Sequence, residues 1–350
     1  VLSDQKNCRL AEPGEFTKIA FQNNKIDLIK AESIGDLIHA ETELQREQAA
    51  NLVQGHASKY YENLREKLVK SLSYIEAKID FAEDDLPGSV LKEVQKSIKQ
   101  VHTDIKQILE DQKVGEKIRD GFRISIIGDV NAGKSSLLNL LAKRDAAIVS
   151  EEEGTTRDVV ETYLNIDGYP VILADTAGIR KAKNKVEKEG IKRAIKKAKD
   201  ADLTLVIIDV SKKIINKDVK KLINKDCILV FNKSDLSKKT PKNEFKKNDQ
   251  ILISVKNSKN IDRLIKIIKE KLSKKFMKAN NILVTRERHR AKLNAALKEI
   301  EKFLKKDQKK EIETAAEDLR LATRHLGSIV GKVDVEEILG SIFKDFCIGK

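Results

Sequence analysis

From about Ile26 to Lys117 apolar residues recur at steps of three and four, as in Tyr61, Leu64, Leu68, Leu72, Ile75 and Ile79, then Val90, Leu91, Val94, Ile98, Val101, Ile105 and Ile108. That spacing puts one apolar stripe on each of a series of helices, interrupted at Leu86-Pro87-Gly88. At Arg123 the period changes. RISIIGD is a short β-branched run, followed by a glycine-containing loop and the helical SSLLNLLAK. Further strands are predicted over 170–174, 203–210, 228–232 and 251–254, with helical stretches between them. After about Lys275 the helical period returns in Leu293, Ala296, Leu297, Ile300 and Leu304, and again in Leu319, Leu321, Leu326 and Ile329. Alternating strands and helices predict a mostly parallel α/β sheet. The simplest architecture is that α/β domain inserted into an all-α helical domain whose two halves pack together.

Composition limits the class. The 350 residues are 40% hydrophobic and 35% charged, enough for a core and unlike collagen or a disordered chain. The length predicts roughly two or three domains. No apolar run approaches the ~20 residues that span a bilayer, and the N-terminus lacks a signal-peptide pattern. The expectation is a soluble, cytoplasmic chain with no membrane contact, truncated at its N-terminus, where Val1 stands in place of methionine. Cys8, Cys227 and Cys347 are far apart, which argues against a disulfide framework or a structural zinc site. The histidines His39, His56, His102, His289 and His325 have no metal-ligand spacing and read as structural or surface groups.

The formal net charge of +14 is unevenly placed, with −4 over residues 1–120, +15 over 121–280 and +3 over 281–350. A basic middle segment can attract phosphate backbones. A lysine-rich solvated surface accounts for it equally well.

The specific chemistry begins at Gly128-Asp129-Val130-Asn131-Ala132-Gly133-Lys134-Ser135, which fits G-x-x-x-x-G-K-S between a strand and a helix. There the loop amides and helix N-terminus cradle phosphates, Lys134 neutralises the β and γ oxygens, and the Ser135 hydroxyl ligates Mg²⁺. Asp175-Thr176-Ala177-Gly178 follows the second predicted strand as D-x-x-G. It places a carboxylate at the metal and an amide at the γ-phosphate. Asn232-Lys233-Ser234-Asp235 ends the fourth as N-K-x-D, and an aspartate there accepts from guanine N1–H and N2–H₂, a pair that adenine lacks. Ser254-Val255-Lys256 is a loop to back the base. These elements in order define a GTP site.

Gly154-Thr155-Thr156-Arg157-Asp158 lies between the first two motifs as a switch segment, where one threonine completes the Mg²⁺ shell. Glu151, Glu152 and Glu153 precede it, and backbone carbonyls are the expected contribution of that stretch. Ile179 occupies the place where Ras-like enzymes carry the glutamine that orients water. Another group must take that role. Glu187 is the best-placed carboxylate, although spacing alone favours an exposed helix glutamate beside Lys188. The charge on the transferring phosphoryl group needs a cation. Arg157, Arg180 and a monovalent ion held by Asn131 all remain open on this basis.

The loop with Asn131, the GTTRD at 154–158, the DTAGIR at 175–180, the AEPGEFTKIAFQNNKIDLIKAE at 11–32 and the terminal Cys347-Ile348-Gly349-Lys350 together resemble the MnmE (TrmE) family of tRNA-uridine modification GTPases. The resemblance covers essentially the whole chain and implies a GTPase domain inserted into a helical one. It also implies an N-terminal folate-binding domain that mediates dimerisation, of which only the tail is present. The implied segments are 1–23 for that remnant, 24–120 and 276–350 for the helical halves, and 121–275 for the GTPase domain.

In residue terms, the resemblance implies a K⁺ site of Asn131, the Ser150 and Glu152 carbonyls and Thr155, formed when two GTPase domains pair face to face. Ser135 and Thr156 would hold Mg²⁺. Glu187 falls on the family's catalytic glutamate, which acts on the attacking water through a bridging water, and Lys134 supports catalysis. The GTP-contacting set is then Asn131, Ala132, Gly133, Lys134, Ser135 and Ser136, the run Ser150, Glu151, Glu152, Glu153, Gly154, Thr155 and Thr156, the motif Asp175, Thr176, Ala177 and Gly178, and Asn232, Lys233, Asp235, Ser254, Val255 and Lys256. Lys25 and Lys350 match lysines of the folate site (5-formyl- or methylene-tetrahydrofolate), near which Cys347 also lies. Val130 departs from a common proline without removing a ligand. The implied partners are tRNA, a second copy of the chain and an FAD-dependent protein of the GidA/MnmG type. The implied reaction adds a carboxymethylaminomethyl group at C5 of the wobble uridine. The alternative is an RNA-binding ribosome-assembly GTPase related to Era and EngA, which share the asparagine-containing loop.

Overall fold

The computed structural model describes residues 7–80, 88–144, 161–174, 200–212, 217–224, 226–237, 245, 248–276, 282–307 and 310–333. They form two compact units. One comprises Val1–Ala40, Gln45–Glu116 and Asn281–Lys350, and the other comprises Glu41–Leu44 and Lys117–Asn280.

The first unit is helical, with α1 (Glu15–Gln22), α2 (Leu28–Ile38), all but the first two residues of α3 (Glu43–Val53), α4 (His56–Asp80), α5 (Gly88–Leu109) and the start of α6 (Val114–Asp120), which continues into the second unit. After it come α10 (Glu287–Lys305) and α11 (Ile312–Val330). The Asp27 side chain caps α2 by accepting from the Lys30 amide at 2.9 Å. Helices α4, α5, α10 and α11 pack in a ring: α4 lies against α5 and α11, and α10 against the same two. Their stripes meet in one core containing Tyr61, Leu64, Leu68, Val94, Ile98, Val101, Ile105, Leu293, Ile300, Phe303, Leu319 and Leu326. Fully burying each large apolar side chain contributes about 1.5–3 kcal/mol. Leu72, Ile79, Leu91, Leu297 and Leu304 lie at the edge of that core, half-buried. The two stretches of helical periodicity on either side of the insertion thus share one core, as the sequence pattern predicts.

The second unit carries a sheet of β1 (Phe122–Gly128), β2 (Glu161–Ile166), β3 (Tyr169–Ala174), β4 (Leu203–Asp209), β5 (Cys227–Asn232) and β6 (Asp249–Leu252). The order is β2-β3-β1-β4-β5-β6, all parallel except the β2–β3 pair. Helices α7 (Lys134–Arg144), α8 (Lys217–Leu222) and α9 (Ile261–Phe276) complete its described elements. β4 and β5 are buried at every position, because parallel strands covered on both faces must be continuously apolar.

The β2 strand was not among the predicted ones, and it shifts the count. D-x-x-G follows the third strand and N-K-x-D ends the fifth. Its signal was an Asp-Gly pair between alternating residues: Leu164 and Ile166 are buried, and Asp167 and Gly168 turn with φ of 50° and 91°. The last strand also ends earlier than predicted. Ser254 has left the ladder for an isolated antiparallel bridge to Lys259.

Candidate GTP site

The chain crosses from one side of β1 to the other between β3 and β4, so the carboxyl end of β1 lies beside a topological switch point, where open α/β sheets bind ligands. The phosphate loop occupies that end. Gly128 closes β1 with φ 151°, and a Cβ there would stand 2.2 Å from the Ile207 carbonyl oxygen of β4. Only glycine allows that approach. Asn131 takes a left-handed φ of 62° and is exposed, and Ala132 is buried beneath it. The Lys134 Nζ donates to the carbonyls of Gly128 at 2.9 Å and Asp129 at 2.7 Å, which ties the positive charge to the loop. Ser135 and Ser136 are exposed in the first turn of α7. Helix N-terminal amides, an ammonium and a hydroxyl oxygen are a donor set suited to phosphate and to a hard cation such as Mg²⁺.

Asn232, 3% exposed, links three loops. Its Nδ2 donates to the Ala132 carbonyl at 2.9 Å, and its Oδ1 accepts from the Val255 amide at 3.1 Å. Gly133 leaves room for it, since a Cβ there would meet Asn232 Nδ2 at 2.3 Å. Lys233 has φ 67° and its Nζ donates to Asp209 Oδ2 at 2.6 Å. Asp209 also accepts at Oδ1 from the Ser211 amide and hydroxyl at 3.0 and 2.6 Å. Burial alone would raise the Asp209 pKa, but the bonds from Lys233 and Ser211 outweigh it and hold the carboxylate below its ordinary range. The sequence reading missed Asp209. Its signal was the single acid closing the apolar run Leu203–Ile208.

Asp235 is exposed, and the Ser254 hydroxyl donates to its Oδ1 at 2.6 Å. That bond is the main reason its pKa is lowered, with smaller help from its own backbone amide, Lys256 and Lys233. Ser254, fully buried, is therefore a positioning group for the carboxylate. Lys256 is exposed beside it.

The structure thus brings together Asn131 through Ser136 with Asn232, Lys233, Asp235 and the 254–256 loop. Ser150, Glu151, Glu152, Glu153, Gly154, Thr155, Thr156, Arg157, Asp175, Thr176, Ala177, Gly178, Arg180, Glu187, Cys347 and Lys350 lie outside the described residues. Lys25 is exposed between α1 and α2 in the helical unit. Among the described residues no group of histidine, cysteine and carboxylate side chains could hold a metal, and no helix is long and apolar enough to cross a membrane.

Residues 28–347 match the family model of the MnmE helical domain. The chain belongs to the MnmE family. It is 59% identical over 349 residues to the tRNA modification GTPase MnmE of Pelagibacter ubique, covering 100% of this chain and 79% of that protein. To the tRNA modification GTPase MnmE of Rickettsia bellii it is 45% identical over 349 residues, covering 98% and 77%. Among solved structures it is similar to Aquifex aeolicus Era bound to GDP and aluminium fluoride, at 27% identity, 51% and 66% coverage and a TM-score of 0.35. The MnmE match spans both helical stretches and the sheet unit between them, as the resemblance of the terminal motifs implied.

Proposed function

We propose that this chain is a GTPase of tRNA modification that hydrolyses GTP at the loops joined by Asn232 and works, with an FAD-dependent GidA/MnmG-type partner, on C5 of the wobble uridine. Membership of the MnmE family makes it a tRNA modification GTPase. The observation that carries the nucleotide assignment is the Asn232 link. One side chain fixes the phosphate loop against the two loops that would read the base. Asp235, held ionised and oriented by Ser254, presents two acceptor oxygens to the donor edge of guanine.

Within this reading Lys134 binds the β and γ phosphates, Ser135 and Thr156 would hold Mg²⁺, and Glu187 orients the attacking water. Asn131, Thr155 and the Ser150 and Glu152 carbonyls would hold K⁺ where two GTPase domains pair. Bound there, the two cations offset the charge that develops on the transferring phosphoryl group. The exposed amide of Asn131 supports this, because it stands at the loop in a conformation that asparagine tolerates better than most residues. Residues 1–23 are assigned to the tail of a folate-binding dimerisation domain, 24–120 and 276–350 to the helical domain, and 121–275 to the GTPase domain. Lys25 and Lys350 are assigned to folate, with Cys347 nearby.

The test is steady-state hydrolysis of GTP and ATP in K⁺ and in Na⁺ at equal ionic strength, with Asn131→Ala and Glu187→Ala variants. GTP turnover faster in K⁺, lost in Asn131→Ala, and slowed in both salts by Glu187→Ala is expected. Equal rates in the two salts would return the cation role to Arg157 or Arg180.

A further inference from the structure

The charge that the sequence places in the middle segment is partly neutralised where the structure describes it. On α9, Lys269 reaches Asp167, Lys271 reaches Asp249 and Lys275 reaches Asp226, and Arg144 of α7 pairs with Asp262. Helix α5 of the helical unit is different. Its solvent face carries Lys92, Lys96, Lys99 and Lys106 at helical spacing, all exposed. Among the described residues none of the four makes an ion pair or a side-chain hydrogen bond. Part of this face forms a surface recess lined by Lys92, Gln95, Lys96, Lys99, Gln100 and Thr103.

Among the described residues, the acids flanking this stripe have partners of their own or lie off its face, apart from one at its end. Asp104, on one flank, takes a hydrogen bond from Gln100 at 2.7 Å and lies 3.7 Å from Lys67 of α4. On the other flank Glu301 of α10 lies 3.4 Å from His102. Glu93 sits about 100° round the helix from Lys92, while exposed Glu110, whose amide donates to the Lys106 carbonyl at 3.2 Å, lies one turn beyond Lys106 on the same face and marks the end of the stripe. The four cations therefore form a row about 21 Å long with no described acid between its members. Between them stand neutral amides and a hydroxyl, from Gln95, Gln100, Thr103 and Gln107. The amides can serve phosphate oxygens and ribose 2′-hydroxyls, while the Thr103 hydroxyl, which donates to the Lys99 carbonyl at 2.9 Å, is left to accept from a ribose 2′-hydroxyl. The row contains no exposed aromatic or aliphatic side chain, whereas the centres of protein interfaces are enriched in aromatic anchors.

We infer that the α5 stripe is a docking surface for the phosphate backbone of tRNA, contacting it without reading its sequence. The inference rests on the tRNA reading of the function and adds the place where this chain meets the nucleic acid. Lysine heads on a rigid helix supply point charges at fixed intervals. Affinity through them must fall with salt, because releasing condensed counterions into a more concentrated salt solution gains less free energy.

The experiment is equilibrium binding of labelled tRNA to the full chain over a series of salt concentrations, without any partner protein. It compares the parent, a stripe variant (Lys92→Gln, Lys96→Gln, Lys99→Gln and Lys106→Gln together), and a charge-matched variant with Lys266→Gln, Lys274→Gln, Lys298→Gln and Lys305→Gln. Glutamine keeps helix propensity close to that of lysine, and equal circular dichroism and GTP turnover verify folding. The stripe variant is expected to bind at least about tenfold more weakly, with a salt slope shallower by about three to four. The matched variant should change much less. Equal losses in the two variants would overturn the stripe while leaving the tRNA reading intact. A parent chain that hydrolyses GTP yet binds no tRNA at any salt would overturn the stripe and count against direct tRNA contact by this chain.

Discussion

Asn232 holds Ala132 by a hydrogen bond of 2.9 Å across a hundred residues of sequence, from the end of β5 to the floor of the phosphate loop. Both partners are buried, so the bond joins the loop proposed to bind the triphosphate to the loops proposed to bind the base without help from solvent. Asn232→Ala would leave the Ala132 carbonyl and the Val255 amide unsatisfied, at about 1–3 kcal/mol for each group that stays buried. The expected outcome is a lowered unfolding midpoint together with weakened binding of GTP and GDP. Full nucleotide affinity in a destabilised variant would show that the two halves are positioned independently.

Asp235 and Ser254 make a sharper test, because it concerns identity rather than strength. In Asp235→Asn one acceptor oxygen becomes a donor NH₂, which opposes the guanine N2–H₂ and suits the O2 of xanthine. Affinity for GTP should fall by about 10–100-fold and that for xanthosine triphosphate should rise. Ser254→Ala removes the 2.6 Å bond that fixes the carboxylate, so it should weaken guanine binding without changing the order of preference. Competition binding with GTP, ATP and xanthosine triphosphate measures both.

The sequence made the phosphate loop and N-K-x-D legible because each is local: a few consecutive residues at a strand end fix the backbone and present the donors. The order of elements and the insertion were legible for the same reason, as a change of period from 3.6 to 2 and back. What joins the site was not. The Lys233–Asp209 pair depends on β4 and β5 lying side by side with Asp209 opposite Asn232, the Asn232 bonds depend on the loops after β1 and β6 meeting the end of β5, and no spacing along the chain encodes either. β2 was hidden by the opposite fault. Its Asp167-Gly168 turn was readable, but its short run lacks the continuous apolar character of the central strands, because it is the antiparallel edge.

In the helical unit Glu32 of α2 receives two hydrogen bonds of 2.6 Å from Arg288 and one of 3.1 Å from His289 Nε2, and Arg286 reaches Asp36 at 2.7 Å. Glu32 and His289 are 2% and 1% exposed. Burial, then Arg288 and Arg286, lower the His289 pKa from its ordinary 6.5 against the pull of Glu32, so the fold favours the neutral ring. Glu32 is desolvated too, but His289 and Arg288 outweigh that and keep it ionised, its pKa below the ordinary 4.5. The unfolded chain therefore binds the histidine proton first. Stability should decline as pH falls below about 6.5, and again below about 4.5 as unfolded Glu32 takes its proton. Urea unfolding from pH 7.5 to 5 should show the first decline, and His289→Gln, which keeps a neutral donor toward Glu32, should flatten it. An unchanged slope in that variant would assign the dependence elsewhere.

Arg290 closes the helical unit at the two places where its chain leaves and returns. Its Nε and Nη2 donate to Glu116 at 2.7 Å each, Nη2 also donates to Asp111 at 2.7 Å, and Nη1 donates to the Leu109 carbonyl at 3.1 Å. Beside this clamp Gly115 packs so closely that a Cβ would stand 2.1 Å from the Val284 carbonyl oxygen. The outgoing and incoming segments are thereby fixed to each other by a buried fork, and lysine could satisfy its charge but not its geometry. Arg290→Met would strand the Glu116 and Asp111 carboxylates, at about 3–5 kcal/mol. Arg290→Met with Glu116→Gln should recover part of that loss, since the penalty lies in the uncompensated charge rather than in the absence of the pair. Denaturation followed by helical signal measures the cost, while GTP affinity should be unchanged in both variants, because the clamp uses no residue of the nucleotide site. A loss of GTP affinity in a variant that remains folded would instead mean that the clamp is coupled to the nucleotide site.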